Sequence, residues 1–477
     1  MLLENFAYPQ LLKYFEEISA IPRPSYHEEK IADYLEGFAK ERGLEYYRDS
    51  IGNLLINKGA TEGREAAEPI LLQGHTDMVC EKNEGVSHDF SRDPLKLYEK
   101  DGWIRAEGTT LGADNGVAVA AMLAILDGAA KSHGPLQCLF TVSEEVGLEG
   151  AKGFDYSRIY ARKMINMDSA DESLIITGCA GGLRTDIKIP IERENASGEG
   201  FKLSIGGLAG GHSGEDIHRG RANANKLMGR ALYRLSAADK SIRIISVDGG
   251  TKENAIPREC TAYGVCEDIE AVKSAVKKLE AEIRDELSAS DSAFSLDVTA
   301  ENNGGIPMTY RSGKKVIFLL STIANGVFER NTELSGIVEY SRNLGIAKTH
   351  EDLFEAVVNS RSARESQIDL SAAELEAYGD LLGGKAEHYS RYPGWEYAEK
   401  SDIRNTYTRA YAELYGSEPK IEVIHAGLEC GIIKKAIPDM DMLSCGPVVT
   451  DLHSPDEALN IASFERFFGV ILRTLTF

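Results

Sequence analysis

The segment Leu71–Lys82, LLQGHTDMVCEK, sets His75 and Asp77 two residues apart behind a short apolar run. In an extended chain, residues i and i+2 point the same way, so this imidazole and carboxylate face one side together. That pairing suits a metal-bound imidazole aimed by a carboxylate, and equally a buried His–Asp hydrogen bond with no chemistry. Three more clusters bear on the choice: Asp114 in GTTLGADNG, the pair Glu144-Glu145 in TVSEEVGLEGA, and Asp168 in NMDSAD. A second imidazole, His453, lies in the Pro-flanked stretch GPVVTDLHSPDE. Singly, each has a plainer reading. Asp114-Asn115-Gly116 can be a turn that caps a helix, the glutamates a solvated helix start favoured by the dipole, and Asp168 a turn residue.

The elements that would position these groups make them converge. EPILLQG reads as a strand ending at His75, GPLQCLFTVS as one ending at Glu144 and Glu145, and KMINMD as one ending at Asp168. Between the first two, NGVAVAAMLAILDGAA is apolar on nearly every side and reads as a buried helix. Strands alternating with a long buried helix predict an α/β domain with a mainly parallel central sheet, and such sheets carry their sites beyond the carboxyl ends of the strands. Carboxylates gathered on one edge repel unless a cation neutralises them. A His and carboxylate set without thiolates suits zinc, cobalt or manganese in hydrolytic sites. Two metals commonly share a bridging carboxylate and a water whose pKa falls toward ~7. A free carboxylate must then take that water's proton and pass it to the leaving group, and adjacent glutamates can divide the duties of ligand and base.

The bulk properties exclude other classes. With 477 residues, 43% hydrophobic and 27% charged, the chain reads as an ordinary globular protein of more than one domain. A net charge of −22 argues against nucleic acid, which is bound mainly by Lys and Arg, and against anionic membrane surfaces. The N-terminal stretch MLLENFAYPQLLKYFEEISA carries Glu16 and Glu17 where a signal peptide needs an uninterrupted apolar core; it reads as an amphipathic helix with Leu11, Leu12, Tyr14, Phe15 and Ile18 on one side. Ser25 and Glu28 form a capping-box pattern ahead of a helix running to Gly43. Seven cysteines without a Cys-x-x-Cys pair fit reduced thiols and a cytoplasmic location.

From about Arg184 the chain changes to α+β units, with FKLSIGG followed by a helix near NANKLMGRALYRLSA. A second set follows Lys314, with VIFLLSTI, IVEYSRNLGI and a helix near EDLFEAVVNSRSARESQI. α/β character returns after SRYPGWEY. The expected organisation is an α/β catalytic domain, residues 1–184 and 397–477, interrupted by an inserted α+β domain, 185–396, built from what reads as a duplicated unit.

The motifs GHTDMV, GTTLGADNGVAVA, TVSEEVGLEGA, NMDSAD, GGHSGEDI and HAGLECGI…GP…HSPDE, in this order along essentially the whole chain, resemble the dipeptidases of the dizinc metallopeptidase family that includes carnosinase and peptidase T. The resemblance implies a zinc-peptidase-like catalytic domain with an inserted lid, two divalent ions, and small peptide substrates, Xaa-His dipeptides among them. It implies His75, Asp114, Glu145, Asp168 and His453 as metal ligands, with Asp114 bridging and followed by a cis peptide bond. Glu144 would be the general base and Asp77 the residue that aims His75. In the lid, His212 would polarise the scissile carbonyl and Asn254 contact the substrate backbone. Arg361, with Arg364 as fallback, would take the C-terminal carboxylate, and His425 and Glu429 would line the pocket. Relatives with a short lid borrow the oxyanion histidine from a partner subunit; this longer insert leaves a homodimer open. Two other readings stand beside the dipeptidase: a metal-dependent N-acyl-amino-acid deacylase, and a metal-binding protein without activity, against which an intact Glu144 argues.

Overall fold

The computed structural model describes residues 6–301, 304–332 and 336–477. Two compact units emerge: Met1–Cys179 with Trp395–Val423 and Leu428–Phe477, and Ala180–Gly394 with Ile424–Gly427.

In the first unit, Ile70–His75 lies between Leu136–Thr141 and Lys163–Asn166, parallel to both, and Asp441–Ser444 continues the parallel set beside Lys163–Asn166. The strands Leu54–Lys58 and Glu45–Arg48 extend the sheet antiparallel on one flank, with Leu174–Cys179 antiparallel on the other. The mainly parallel character therefore holds for the four central strands, whose carboxyl ends share one edge. Their sequences are nearly continuous apolar runs because both faces are covered; all six residues of Leu136–Thr141 are buried.

The helix Ala113–Leu126 is buried along nearly its whole length, as its all-round apolar sequence requires, and it packs on Ile70–His75. The contact is close enough to demand a glycine in the strand: a Cβ on Gly74 would lie 2.4 Å from Ala118 Cβ. The helix Pro9–Ser19 buries Leu11, Leu12, Tyr14, Phe15 and Ile18, the expected face; the first five residues of that stretch lie outside the described residues. The capping box is not formed. The next helix spans Glu29–Glu41 without a side-chain cap, because Ser25 Oγ donates to Asp77 at 2.7 Å and Glu28 accepts from the backbone N–H and hydroxyl of Ser143 at 2.7 and 2.8 Å.

The second unit is built on a nine-stranded sheet whose pairings are antiparallel. Among the described residues, four α-helices accompany it: Ala224–Ala238, Ile269–Glu286, Tyr310–Thr322 and Glu365–Leu381. Two segments differ from expectation. VIFLLSTI falls in the helix Tyr310–Thr322. EDLFEAVVNSRS, expected to be helical, contributes the strand Leu353–Ser362, which pairs on both sides, with Val338–Thr349 and with Gly181–Pro190. A central strand buried on both faces carries apolar residues without strict alternation, and that pattern does not separate it from a helix. Among the described residues, no helix is long and apolar enough to cross a membrane.

Candidate metal centre and active-site residues

Because the central strands are parallel, their ends deliver side chains to one place. His75 ends its strand; Glu144 and Glu145 follow Leu136–Thr141 after a turn; Asp168 follows Lys163–Asn166 by two residues. Asp114 joins them from the start of the buried helix, where Asp114 and Asn115 depart from helical angles and the bond between them is cis. His453 comes from a loop near the C-terminus, its backbone in the left-handed region (φ 59°).

Asp114 is the centre of the group. Its Oδ1 lies 3.0 Å from His75 Nε2 and its Oδ2 lies 3.2 Å from His453 Nε2. Asp168 Oδ1 is 3.7 Å from His75 Nε2, and Glu145 Oε1 is 3.1 Å from His453 Nε2. Donor atoms of His75, Asp114 and Asp168 fall within 4.8 Å of one another, as do those of Asp114, Glu145 and His453, and those of His75, Glu144 and Glu145. The structure thus brings together all five expected ligands and Glu144, in two main groups that share Asp114. A small cavity of about 90 Å³ adjoins Asp114 and Asp168.

Burial and crowding shift titrating groups of this cluster. Burial raises Glu144 well above the usual carboxylate range; His75 opposes this, and the charges of Asp168, Glu145 and Glu429 add to it. Asp168 is raised by burial despite its contact with His75. Burial disfavours a charged His75, yet hydrogen bonds to Asp114, Asp168 and Asp77 lift it well above its ordinary value. His453 rises to about 10 through Asp114 and Glu145. Both imidazole shifts have the same cause, crowded carboxylates that favour positive charge beside them. The buried Glu145 Oε1 has the His453 ring, at 3.1 Å, as its polar neighbour. Two imidazoles, a shared carboxylate, further carboxylates and no thiolate fit divalent ions of the zinc, cobalt or manganese type.

Asp77 is fully buried behind His75. Its Oδ1 faces His75 Nδ1 at 3.2 Å and accepts the backbone N–H of Glu144 at 3.0 Å; its Oδ2 accepts the N–H of Glu145 at 3.2 Å. With Nδ1–H donated to Asp77, His75 Nε2 is the nitrogen left toward Asp114 and Asp168. Glu429, also fully buried, accepts from Gln73 Nε2 at 2.5 Å and Thr141 Oγ1 at 2.7 Å, and burial pushes it up to about 7.

The remaining candidates lie in the second unit. His212 sits on the two-residue strand Gly211–His212, paired with Ala255–Ile256. The backbone N–H of Glu215 donates to His212 Nδ1 at 3.2 Å, which leaves the proton on Nε2 as a donor. Burial and the charge of Arg361 lower its pKa, so the ring is neutral at pH 7. Asn254 accepts the N–H of Ser213 through its backbone carbonyl. Arg361 is buried, donates Nη1 to Tyr392 Oη at 2.9 Å, and leaves Nε without a partner. Arg364, by contrast, pairs with Glu339 at 3.4 Å. His425 Nε2 lies 2.7 Å from Ser341 Oγ, and burial followed by the Arg361 charge drives its pKa down to about 3. Gly214 marks where these groups meet: a Cβ there would lie 2.3 Å from the His425 carbonyl oxygen, 3.2 Å from His212 Cε1 and 3.3 Å from Arg361 Nε. His425 and Glu429, grouped together from sequence, therefore occupy different units.

Two buried residues at the centre were not anticipated, Arg23 and Glu457. Arg23 donates to the carbonyls of Thr76, Asp77 and Gly112, and Glu457 accepts four backbone N–H groups from residues 111–114. Both bond to backbone, for which no side-chain spacing is diagnostic; the one available hint was an acid four residues after His453.

Residues 71–476 match the peptidase family M20/M25/M40. The chain belongs to that family. The cytosol non-specific dipeptidase of Escherichia coli (strain K12) is 40% identical over 465 residues, 97% of this chain and 96% of that relative. Among solved structures, the aminoacylhistidine dipeptidase from Vibrio alginolyticus superposes with a TM-score of 0.93 at 35% identity, covering 99% of this chain and 97% of that one. The aminopeptidase PepT from Bacillus cereus, with a TM-score of 0.57 at 16% identity, covers 99% and 98% and shares the fold.

Proposed function

We propose that this protein is a metal-dependent dipeptidase that hydrolyses unblocked dipeptides, Xaa-His peptides among them, with two divalent ions, zinc fitting the donor set best. The observation that carries the reading is Asp114, whose two oxygens face two different imidazoles, with Glu144 beside them. His75, Asp114 and Asp168 would hold one ion, and Asp114, Glu145 and His453 the other. When bound, the ions supply Lewis acidity that polarises a carbonyl and makes water nucleophilic near neutral pH. Glu144, raised by its surroundings, accepts the proton of the attacking water and returns it to the departing amine. Asp77 keeps His75 and the Glu144–Glu145 backbone in register.

In this reading the second unit is the lid. Neutral His212 offers Nε2–H to the oxygen that gains charge. Arg361, with an unpaired buried Nε and no ion-pair partner among the described residues, takes the C-terminal carboxylate of the substrate. His425 feels the charge of Arg361, and Asn254 would contact the substrate backbone. The name of the Escherichia coli relative supports a cytoplasmic setting.

The test is hydrolysis of β-Ala-His, Gly-His, Leu-Gly and N-acetyl-Leu by metal-depleted protein, with and without added zinc. Zinc-restored cleavage of the free dipeptides alone is the expected result. Cleavage of N-acetyl-Leu alone would transfer the site to the N-acyl-amino-acid deacylases, and no cleavage of any substrate would leave a metal-binding protein without this activity.

A further inference from the structure

Glu457 joins two of the loops that carry the metal centre. It is 2% exposed and stands four residues after His453. Its Oε2 accepts the backbone N–H of Leu111 at 2.8 Å and of Gly112 at 3.0 Å; its Oε1 accepts those of Ala113 at 2.9 Å and Asp114 at 3.3 Å. Both oxygens are thus taken up by the turn that presents Asp114. Arg23 grips the same turn through its carbonyl face: Nη2 donates to Gly112 O at 2.5 Å, and Nη1 to Thr76 O and Asp77 O at 2.9 and 3.2 Å. The fit admits no side chain at Gly112, whose φ is +65° and whose added Cβ would lie 2.6 Å from Arg23 Nη2.

We propose that Glu457 is a positioning residue that couples Asp114 to His453 and so sets the affinity of the metal position formed by Asp114, Glu145 and His453. The inference deepens the two-metal reading and rests on it. Asp114 must aim its oxygens in two directions at once, so a shift of its backbone misdirects both. His453 is the ligand bound to the same anchor by the shortest stretch of chain, hence its position depends on Glu457 more than that of His75 or Asp168, which their own strands fix. Glu457 reaches no donor atom itself and acts only through Asp114 and the 453–457 loop.

The discriminating variant is Glu457→Gln. It is isosteric, yet its NH2 group would face two backbone N–H donors, and the negative charge opposite Arg23 is lost. Metal-depleted full-length protein is titrated with Co2+, following the visible absorption band and chelator competition for each equivalent. Wild type binds two equivalents. Glu457→Gln keeps the first within about 2-fold and loses ~10–100-fold in the second, the range typical of residues that orient ligands. Its kcat falls at limiting metal and recovers with excess Co2+, while KM stays put. Two unchanged equivalents would overturn the proposal. So would equal weakening of both with a lower Tm of the metal-free protein, which assigns Glu457 to the fold alone. Should Glu457→Gln not fold, Glu457→Asp, too short to reach both N–H pairs, is read the same way, and failure of both to fold ends the proposal. Fewer than two equivalents in wild type would instead remove the two-metal reading and this inference with it.

Discussion

Asp77 accepts the backbone N–H of Glu144 at 3.0 Å with the same oxygen that lies 3.2 Å from His75 Nδ1. One carboxylate therefore sets both the direction of a candidate ligand and the placement of the candidate base, while Ser25 holds its other oxygen at 2.7 Å. Asp77→Ala is expected to weaken metal binding ~10–100-fold and to lower kcat even when metal is saturating, because the 144–145 backbone loses its acceptor. Calorimetric metal titration together with kcat at saturating zinc checks both effects; a variant restored fully by excess zinc would limit Asp77 to aiming His75.

Gly74 is a second point of leverage. An added Cβ meets Ala118 Cβ at 2.4 Å, so Gly74→Ala forces the strand from the helix that carries Asp114. Overpacking of this kind costs about 1–3 kcal/mol. Denaturant unfolding of Gly74→Ala, Ala118→Gly and the double variant should show a coupling that returns part of the loss; strict additivity would place the strain elsewhere.

Arg361 carries the substrate-selectivity prediction. Charge-assisted hydrogen bonds to a carboxylate are worth about 1.5–3 kcal/mol, so Arg361→Met should raise KM for Gly-His ~10–100-fold. It should also erase wild-type discrimination against the same dipeptide with an amidated C-terminus. Arg364→Met, which removes a partner of Glu339, should leave KM within about 2-fold.

His425 makes a prediction about pH. Its folded pKa of about 3 lies below the ordinary 6.5, so between these values the unfolded chain binds the extra proton and stability falls as pH falls. The contribution is fully present above pH 6.5 and lost as pH drops toward 3, with a limiting slope of about 1.4 kcal/mol per pH unit. Metal-free His425→Asn should lose Tm less steeply than wild type across that window. Parallel curves would show that His425 is not held neutral.

The parts of the site legible in the sequence are those that strands deliver. His75 and Asp168 follow apolar runs that are unmistakably strands, and a parallel arrangement places such ends on one edge. Asp77 lay at the i+2 spacing that keeps it beside His75. Residues acting on backbone stayed hidden: Arg23 and Glu457 grip peptide groups, and Ser25 with Glu28 imitates a helix cap while bracing Asp77 and Ser143. Residues 353–362 read as helical yet form a strand, because a strand covered on both faces loses its alternation. His212, Arg361 and His425 were candidates one by one, but their meeting at Gly214 was not legible, since successive ones lie 149 and 64 residues apart along the chain.

We propose that Glu144 moves protons at a two-ion centre without holding the ions. The most direct test is Glu144→Gln, measured for bound zinc and for kcat on Gly-His in one preparation. Loss of a general base costs ~10²–10⁴-fold in rate, so Glu144→Gln should bind two zinc equivalents as in wild type while kcat falls at least ~100-fold. Wild-type turnover in that variant, or loss of a zinc equivalent that accounts for the lost rate, would contradict it.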